Sequence, residues 1–133
     1  MIAVLDSSAL IAFLKDEKGA DVVESVLSDT SADCSVHAIN LCEVYYDLAR
    51  EYGDKRALQG INALMAFDLG LHEDMDLDFW RQAGNYKAKL VRVSLADCFC
   101  LALAHRKNGE IITADHEFYR AVERRICKIT FIR

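Results

Sequence analysis

The sequence predicts an α/β domain: a mainly parallel central sheet flanked by helices on both faces. Three observations lead there. Ile2–Leu5 is a short apolar run cut off by Asp6, and Glu110–Ala114 is a second run stopped by Asp115. Such runs suit strands buried on both faces. Stretches of helical period stand between the runs, and alternation of strands with helices implies right-handed crossovers and parallel pairing. The chain of 133 residues suits one domain, taken as residues 1–133, with enough core to fold without staples.

The elements follow in order. After the first strand, Ser7 and Ser8 offer N-caps for a helix over Ala9–Lys15. Gly19 separates it from a helix carrying Val22, Val23, Val26 and Leu27. Cys34–His37 reads as a weak second strand. Asn40 is expected to cap a helix with the stripe Leu41, Val44, Tyr45, Leu48, Ala49 and Tyr52, ended by Gly53. Asp54 opens another helix, to about Phe67, and residues 69–72 form a possible strand. Asp76 or Asp78 opens a helix bearing Phe79, Trp80, Ala83, Tyr86 and Leu90. Ser94 starts a helix that is apolar on nearly every face apart from Asp97, which places it inside the domain. After Asp115 a helix runs to about Arg125, and Cys127–Ile132 is the last strand.

Composition narrows the function. The formal charge of −5 disfavours a non-specific nucleic-acid coat, which would be basic. It leaves room for a nuclease whose bound metal supplies positive charge. No run of apolar residues is long enough for a membrane span. Asp6 follows only five residues with no basic segment before it, so no signal peptide is expected. The five cysteines show no CxxC spacing and read as reduced thiols of a cytoplasmic protein. Cys98-x-Cys100 points two thiols in different directions on a helix, which suits packing better than zinc. The turn after the first strand has no glycine, which excludes dinucleotide and P-loop folds.

In an open parallel sheet, ligands bind beyond the carboxyl ends of the strands. Asp6 and Asp115 end strands there, and Glu43 falls in the first turn of the helix after the second strand. Asp97 falls in the first turn of the buried helix. Each acid also has a plain explanation. Asn40-x-x-Glu43 and Ser94-x-x-Asp97 have the form of capping boxes, and Asp6 and Asp115 suit turns. Asp97 resists that explanation, because an unpaired buried carboxylate costs several kcal/mol and needs a partner. Acids gathered on one rim are tolerable if they share a hard, oxygen-loving cation, Mg²⁺ or Mn²⁺. Such a centre fits hydrolysis of a phosphodiester by activated water. Lys87, Lys89 and Arg92 form a candidate phosphate-contact patch. The acidic run Glu73, Asp74, Asp76, Asp78 reads as solvated or capping, and His116 draws notice only because it follows Asp115.

Four segments resemble, in order and spacing, the PIN-domain family: Val4-Leu-Asp6-Ser-Ser8-Ala-Leu-Ile-Ala, Ile39-Asn-Leu-Cys-Glu43-Val, Ser94-Leu-Ala-Asp97-Cys-Phe-Cys-Leu-Ala-Leu-Ala and Ile112-Thr-Ala-Asp115-His-Glu-Phe118. The short single-domain form is similar to the VapC toxins of toxin–antitoxin pairs. The resemblance implies a Rossmann-like sheet and a Mg²⁺/Mn²⁺-dependent endoribonuclease whose metal site is Asp6, Glu43, Asp97 and Asp115. On that basis Asp6 and Asp97 are the main ligands, Asp115 completes the site directly or through water, and Glu43 orients the attacking water. Ser7 and Thr113 are supporting candidates. The resemblance also implies an RNA substrate, a homodimer, and a cognate antitoxin that covers the cleft. Ser7 stands where Ala or Thr is commoner in the family, and His37-Ala38 where a hydroxyl residue often precedes the second acid, which bears on substrate fit. Two alternatives remain at this point: a PIN nuclease of RNA processing outside any toxin pair, and a non-catalytic module whose acidic cleft holds a basic partner.

Overall fold

The computed structural model describes residues 1–133. Its strands are β1 (Ile2–Leu5), β2 (Asp33–His37), β3 (Leu69–His72), β4 (Glu110–Thr113) and β5 (Ile129–Phe131). All pair in parallel, in the order β3-β2-β1-β4-β5. The chain winds outward from β1 through β2 to β3, then returns to the other side of β1 for β4 and β5. The order therefore reverses between β1 and β4, and a crevice opens beyond the carboxyl ends of those two strands.

The helices are α1 (Ser7–Leu14), α2 (Ala20–Ser28), α3 (Ala38–Tyr52), α4 (Asp54–Met65), α5 (Leu77–Lys89), α6 (Leu95–Lys107) and α7 (Tyr119–Glu123). The pleat of the strands divides the core into two layers. Ala3, Leu5 and Ile112 pack with the apolar residues of α1 to α4. Val4 and Ile111 point the other way, into a layer built from α5, α6, Phe118 and Ala121. Successive strand residues thus serve opposite faces, as a sheet covered on both sides requires. α6 is the centre of the second layer: Cys98, Cys100, Leu101, Ala102, Leu103 and Ala104 are all buried. Burial pushes the Cys98 thiol up to about 11 and the Cys100 thiol well up, so both stay protonated as packing groups. All five cysteines are free. No helix is long and apolar enough to cross a membrane.

Several boundaries differ from the sequence expectation, and at the starts of α1 and α3 the reason is that a strand passes into a helix with almost no loop between them. Asp6, rather than Ser7 or Ser8, caps α1, accepting from the Ala9 amide. His37, the last residue of β2, caps α3 through Nδ1, which accepts from the Ile39 amide at 3.1 Å. Asn40 is therefore inside α3, not its cap, and Glu43 lies in the second turn rather than the first. The helix expected to reach Phe67 ends at Met65. The helix expected to reach Arg125 is a single 3₁₀ turn, His116–Phe118, followed by the short α7. The last strand is only Ile129–Phe131, so Cys127 and Lys128 precede it. Ser94 and Asp76 do cap α6 and α5, as read from the sequence.

One glycine lets the turn between α1 and α2 pass close to the C-terminal segment. Gly19 has φ of +94°, and a Cβ there would lie 2.7 Å from the Ile132 carbonyl oxygen. Only glycine accepts both the left-handed backbone and that approach.

Candidate active site

The four acids stand around the crevice between β1 and β4. Asp6 follows β1 directly and is 1 % exposed. Its carboxylate is held by three donors. The Ala9 amide reaches Oδ1 at 3.0 Å, the Ser8 hydroxyl at 2.8 Å, and the Thr113 hydroxyl at the end of β4 reaches Oδ2 at 2.7 Å. Ser8 Oγ also accepts from the Ala114 amide at 2.9 Å. Ser8 and Thr113 thus sew the ends of the two strands together through the acid between them. The Asp115 amide donates to Thr113 Oγ1 at 2.9 Å, and the Asp115 carboxylate accepts from the Glu117 amide, capping the 3₁₀ turn.

Glu43 reaches the same rim from α3. Its Oε1 accepts from the Ser7 hydroxyl at 3.1 Å and from the Asn40 amide group at 3.3 Å. Asn40 Nδ2 also donates to the Ala96 carbonyl at 3.2 Å, which ties α3 to the first turn of α6. Two acceptors on one side fix which way the amide points. Its Oδ1 is left buried with no partner. Asp97 stands in that first turn of α6, 6 % exposed, with Ser94 Oγ accepting from its amide at 3.1 Å.

The electrostatics show how close the acids are. Burial pushes Asp6 up to about 6, against the opposing pull of Thr113, Ala9 and Ser8, with the charge of Asp115 adding to the rise. Asp97 is pushed up to about 8, first by burial, then by the charges of Asp6 and Asp115, with Glu43 contributing and Ser94 opposing. The four acids named from the sequence therefore share one electrostatic environment. No three of them converge closely enough to make a ready ligand set. The site is a shared rim of negative charge, not a formed cage. What it can do chemically is concentrate hard oxygen donors and hold protons at unusual pKa values.

Of the supporting candidates, Ser7 contacts Glu43 and Thr113 contacts Asp6. Two residues of the same network escaped the sequence reading. The sequence offers Ser8 as a cap, although a hydroxyl two residues after an aspartate is placed to donate to it. The sequence offers Asn40 as a cap too; its signal is a polar residue on the face of α3 that the stripe otherwise buries. Lys87, Lys89 and Arg92 lie apart from the acids, around the α5–α6 connection. The Lys87 ammonium donates to the carbonyls of Val91 and Val93 at 2.8 and 3.0 Å, so it braces that loop. Lys89 and Arg92 line a cavity of about 280 Å³ together with Arg120 and Arg124. The acidic run is structural. Asp76 caps α5, and Asp74 and Asp76 pair with Arg106 at 2.9 and 2.7 Å. His116 Nε2 bonds the Arg133 carbonyl at 2.8 Å.

Comparison with known proteins agrees with this architecture. A family model described as the PIN domain matches residues 3–123. No curated protein sequence matches. Among solved structures, the DNA-bound VapBC of Salmonella typhimurium is similar, with 16 % identity, TM-score 0.75, and 100 % of this chain and 99 % of that one covered. VapBC2 of Rickettsia felis, bound to a fragment of its promoter, has 14 % identity and TM-score 0.74, covering 98 % of each chain. VapC20 of Mycobacterium tuberculosis, described as a toxin cleaving the sarcin–ricin loop, has 17 % identity and TM-score 0.69, covering 90 % of this chain and 94 % of that one. At these identities the structural likeness speaks to the fold.

Proposed function

The chain belongs to the PIN-domain family, and from that premise we propose that it is a divalent-metal-dependent endoribonuclease, the toxin of a toxin–antitoxin pair. The observation that carries the chemistry is the acidic rim itself. Asp6 and Asp97 are buried at the switch point of the sheet with both pKa values raised, beside Asp115 and Glu43. Stability alone would not place mutually repelling carboxylates in such a crevice. The donor set fits Mg²⁺ or Mn²⁺, since it offers the carboxylate oxygens of Asp6 and Asp97, both buried, and no thiolate. When bound, the cation supplies Lewis-acid polarisation of the phosphate and a water of lowered pKa.

The residues divide the remaining work. Asp6 and Asp97 are the principal ligands. Thr113, Ser8 and the Ala9 amide fix the rotamer of Asp6, so that this carboxylate needs no reorganisation on binding. Asp115 completes the site directly or through water. Glu43, clamped by Ser7 and Asn40, orients the attacking water and takes its proton. Hydrolysis then breaks the P–O bond of the leaving nucleotide, whose oxygen is protonated from solvent.

The toxin assignment rests on the whole-length likeness to VapBC and VapC structures. It brings with it a homodimer, a cytoplasmic setting, and an antitoxin whose basic side chain would suit the acidic rim. The test is purified chain incubated with total RNA, with ends mapped by sequencing, in Mg²⁺ or in chelator, beside Asp6→Ala. Cleavage by the wild type in Mg²⁺ alone is expected, along with slowed growth on expression that Asp6→Ala relieves. Cleavage shared by Asp6→Ala, or none by either protein, overturns the assignment. Cleavage without growth arrest favours RNA processing outside a toxin pair.

A further inference from the structure

Two neighbouring cavities run away from Asp115, and their linings differ in kind. The first, about 350 Å³, is bordered by Asp115, His116, Glu117, Tyr119, Arg120 and Glu123. The second is the cavity of about 280 Å³ lined by Lys89, Arg92, Arg120 and Arg124, with Glu123 its one acid. Arg120 and Glu123 border both, so the two lie side by side along α7. Lys89, Arg92 and Arg124 come from two separate segments of a chain whose net charge is −5, and none of them is in an ion pair. Arg120 Nε is bonded to Glu117 at 3.2 Å, which leaves its two Nη groups for another anion. Folding that brings unpaired cations together raises their mutual repulsion, and a bound anion relieves it.

The first cavity is acidic and would repel phosphate, but it contains an aromatic platform. Tyr119 is 52 % exposed. Phe131 stacks on it at 4.5 Å and 16°, and the His116 ring stands edge-on to both. The ring is thus held rigid from behind with surface to spare, as a base-stacking residue must be. Lys87 holds the other wall, since its bonds to the Val91 and Val93 carbonyls fix the loop that carries Arg92.

We infer that the two cavities are one track for single-stranded RNA leading away from the acidic rim. A base next to the cleaved linkage stacks on Tyr119, and the following phosphates lie against Arg120, Arg92, Arg124 and Lys89. The inference rests on the ribonuclease reading for its substrate, and its charge pattern is that of single-strand recognition in general, in which cations follow the backbone and aromatic rings take bases. The patch read from the sequence is redrawn by this track: Lys87 leaves it, and Arg120 and Arg124 enter it.

The test is binding of a fluorescein-labelled oligouridylate by anisotropy, in chelator so that nothing is cut, across a salt series. For the Arg92→Gln/Arg124→Gln double variant, affinity is expected to fall about tenfold at low salt. Its log–log salt slope should shrink by about 1.4, about 0.7 for each lost contact with a single strand. Tyr119→Ala should weaken binding about fivefold with the slope unchanged, and Tyr119→Phe should bind like the wild type. Thermal unfolding checks that each variant is folded. An unchanged affinity and slope in the double variant overturns the track, as does a wild type that ignores the oligonucleotide. Equal loss of binding to polyglutamate and to RNA assigns the surface to an acidic protein segment instead. A wild type that binds through these residues but cuts no RNA in Mg²⁺ leaves the track standing and removes the nuclease reading. A wild type that cuts, with variants that bind unaltered, does the reverse.

Discussion

Asp97 is a carboxylate that the fold alone should not tolerate. It is 6 % exposed, on a helix otherwise apolar around it, and burial first, then the charges of Asp6 and Asp115, raise it to about 8. The unfolded chain releases this proton near the ordinary aspartate value, while the metal-free folded chain keeps it until about pH 8. Between those two values the folded state binds more protons than the unfolded one. Stability therefore falls as pH climbs through that window and levels off above the folded value. Asp6, raised to about 6, adds a loss of the same sign that is complete at a lower pH. An asparagine at position 97 removes the larger contribution. In chelator, Asp97→Asn should be at least as stable as the wild type near pH 8, with a flatter stability–pH profile and no nuclease activity. One pKa unit is worth about 1.4 kcal/mol, so relief of even one unit is measurable by urea unfolding at several pH values. If Asp97 served only as an acid in the first turn, its loss would cost up to about 1 kcal/mol at neutral pH and the wild type would not weaken as pH rises. That result would remove Asp97 from the site.

At the scale of the element, the sequence shows its periods more clearly than its joints. β1 ending at Asp6, α6 starting after Ser94, and β4 ending before Asp115 were all legible, because burial leaves long apolar runs and their punctuation is sharp. α3 was legible as a helix but not in its start. Its cap is a histidine, a residue seldom read as a cap, and three-dimensional partners put it there. His37 Nε2 bonds the Asp74 carbonyl at 2.9 Å, and its ring stacks on Phe79 at 5.1 Å and 10°. With Nδ1 accepting and Nε2 donating, the ring is the neutral tautomer. Such contacts join residues 37 positions apart and leave no local pattern. The error carried into the site. Moving the cap from Asn40 to His37 turned Asn40 from a cap into the bridge between Glu43 and α6, a role no spacing reveals. The same limit hid the basic cavity, because Arg120 and Arg124 meet Arg92 only through the packing of α7. His37→Phe keeps the stack but removes the cap and the bond to Asp74. It should cost about 1–3 kcal/mol in urea unfolding. A loss near zero would mean that α3 starts without help from this ring.

At the scale of the whole molecule, charge, sheet topology and protonation converge on one crevice. The reversal of strand order between β1 and β4 puts residues 6, 97 and 115 on one rim, where their charges act on one another, and α3 adds Glu43 from the side. Folding without a cation buries these acids beside one another, and burial first, with their mutual charge second, raises Asp6 and Asp97. A divalent cation that binds the folded state must displace those protons. Two consequences follow from linkage. Mg²⁺ should raise the melting temperature, by RT ln(1 + [Mg²⁺]/Kd), which is about 2.7 kcal/mol at a hundredfold excess over Kd and about 10 °C for a chain of this size. The gain should also depend on pH. Toward pH 6 the raised values of Asp97 and Asp6 let protons compete with the cation, which weakens binding. At about pH 9 the competition has largely gone, and the Mg²⁺-dependent rise in melting temperature should be greater, even though the metal-free protein is less stable there. Opposite trends with pH in chelator and in Mg²⁺ are the signature of carboxylates that repel one another until a cation joins them. Thermal unfolding at the two pH values, with and without Mg²⁺, measures both. The Asp6→Asn/Asp97→Asn variant should lose most of the Mg²⁺ effect at either pH. A wild type indifferent to Mg²⁺, or a double variant stabilised as much as the wild type, would separate the acidic rim from metal binding.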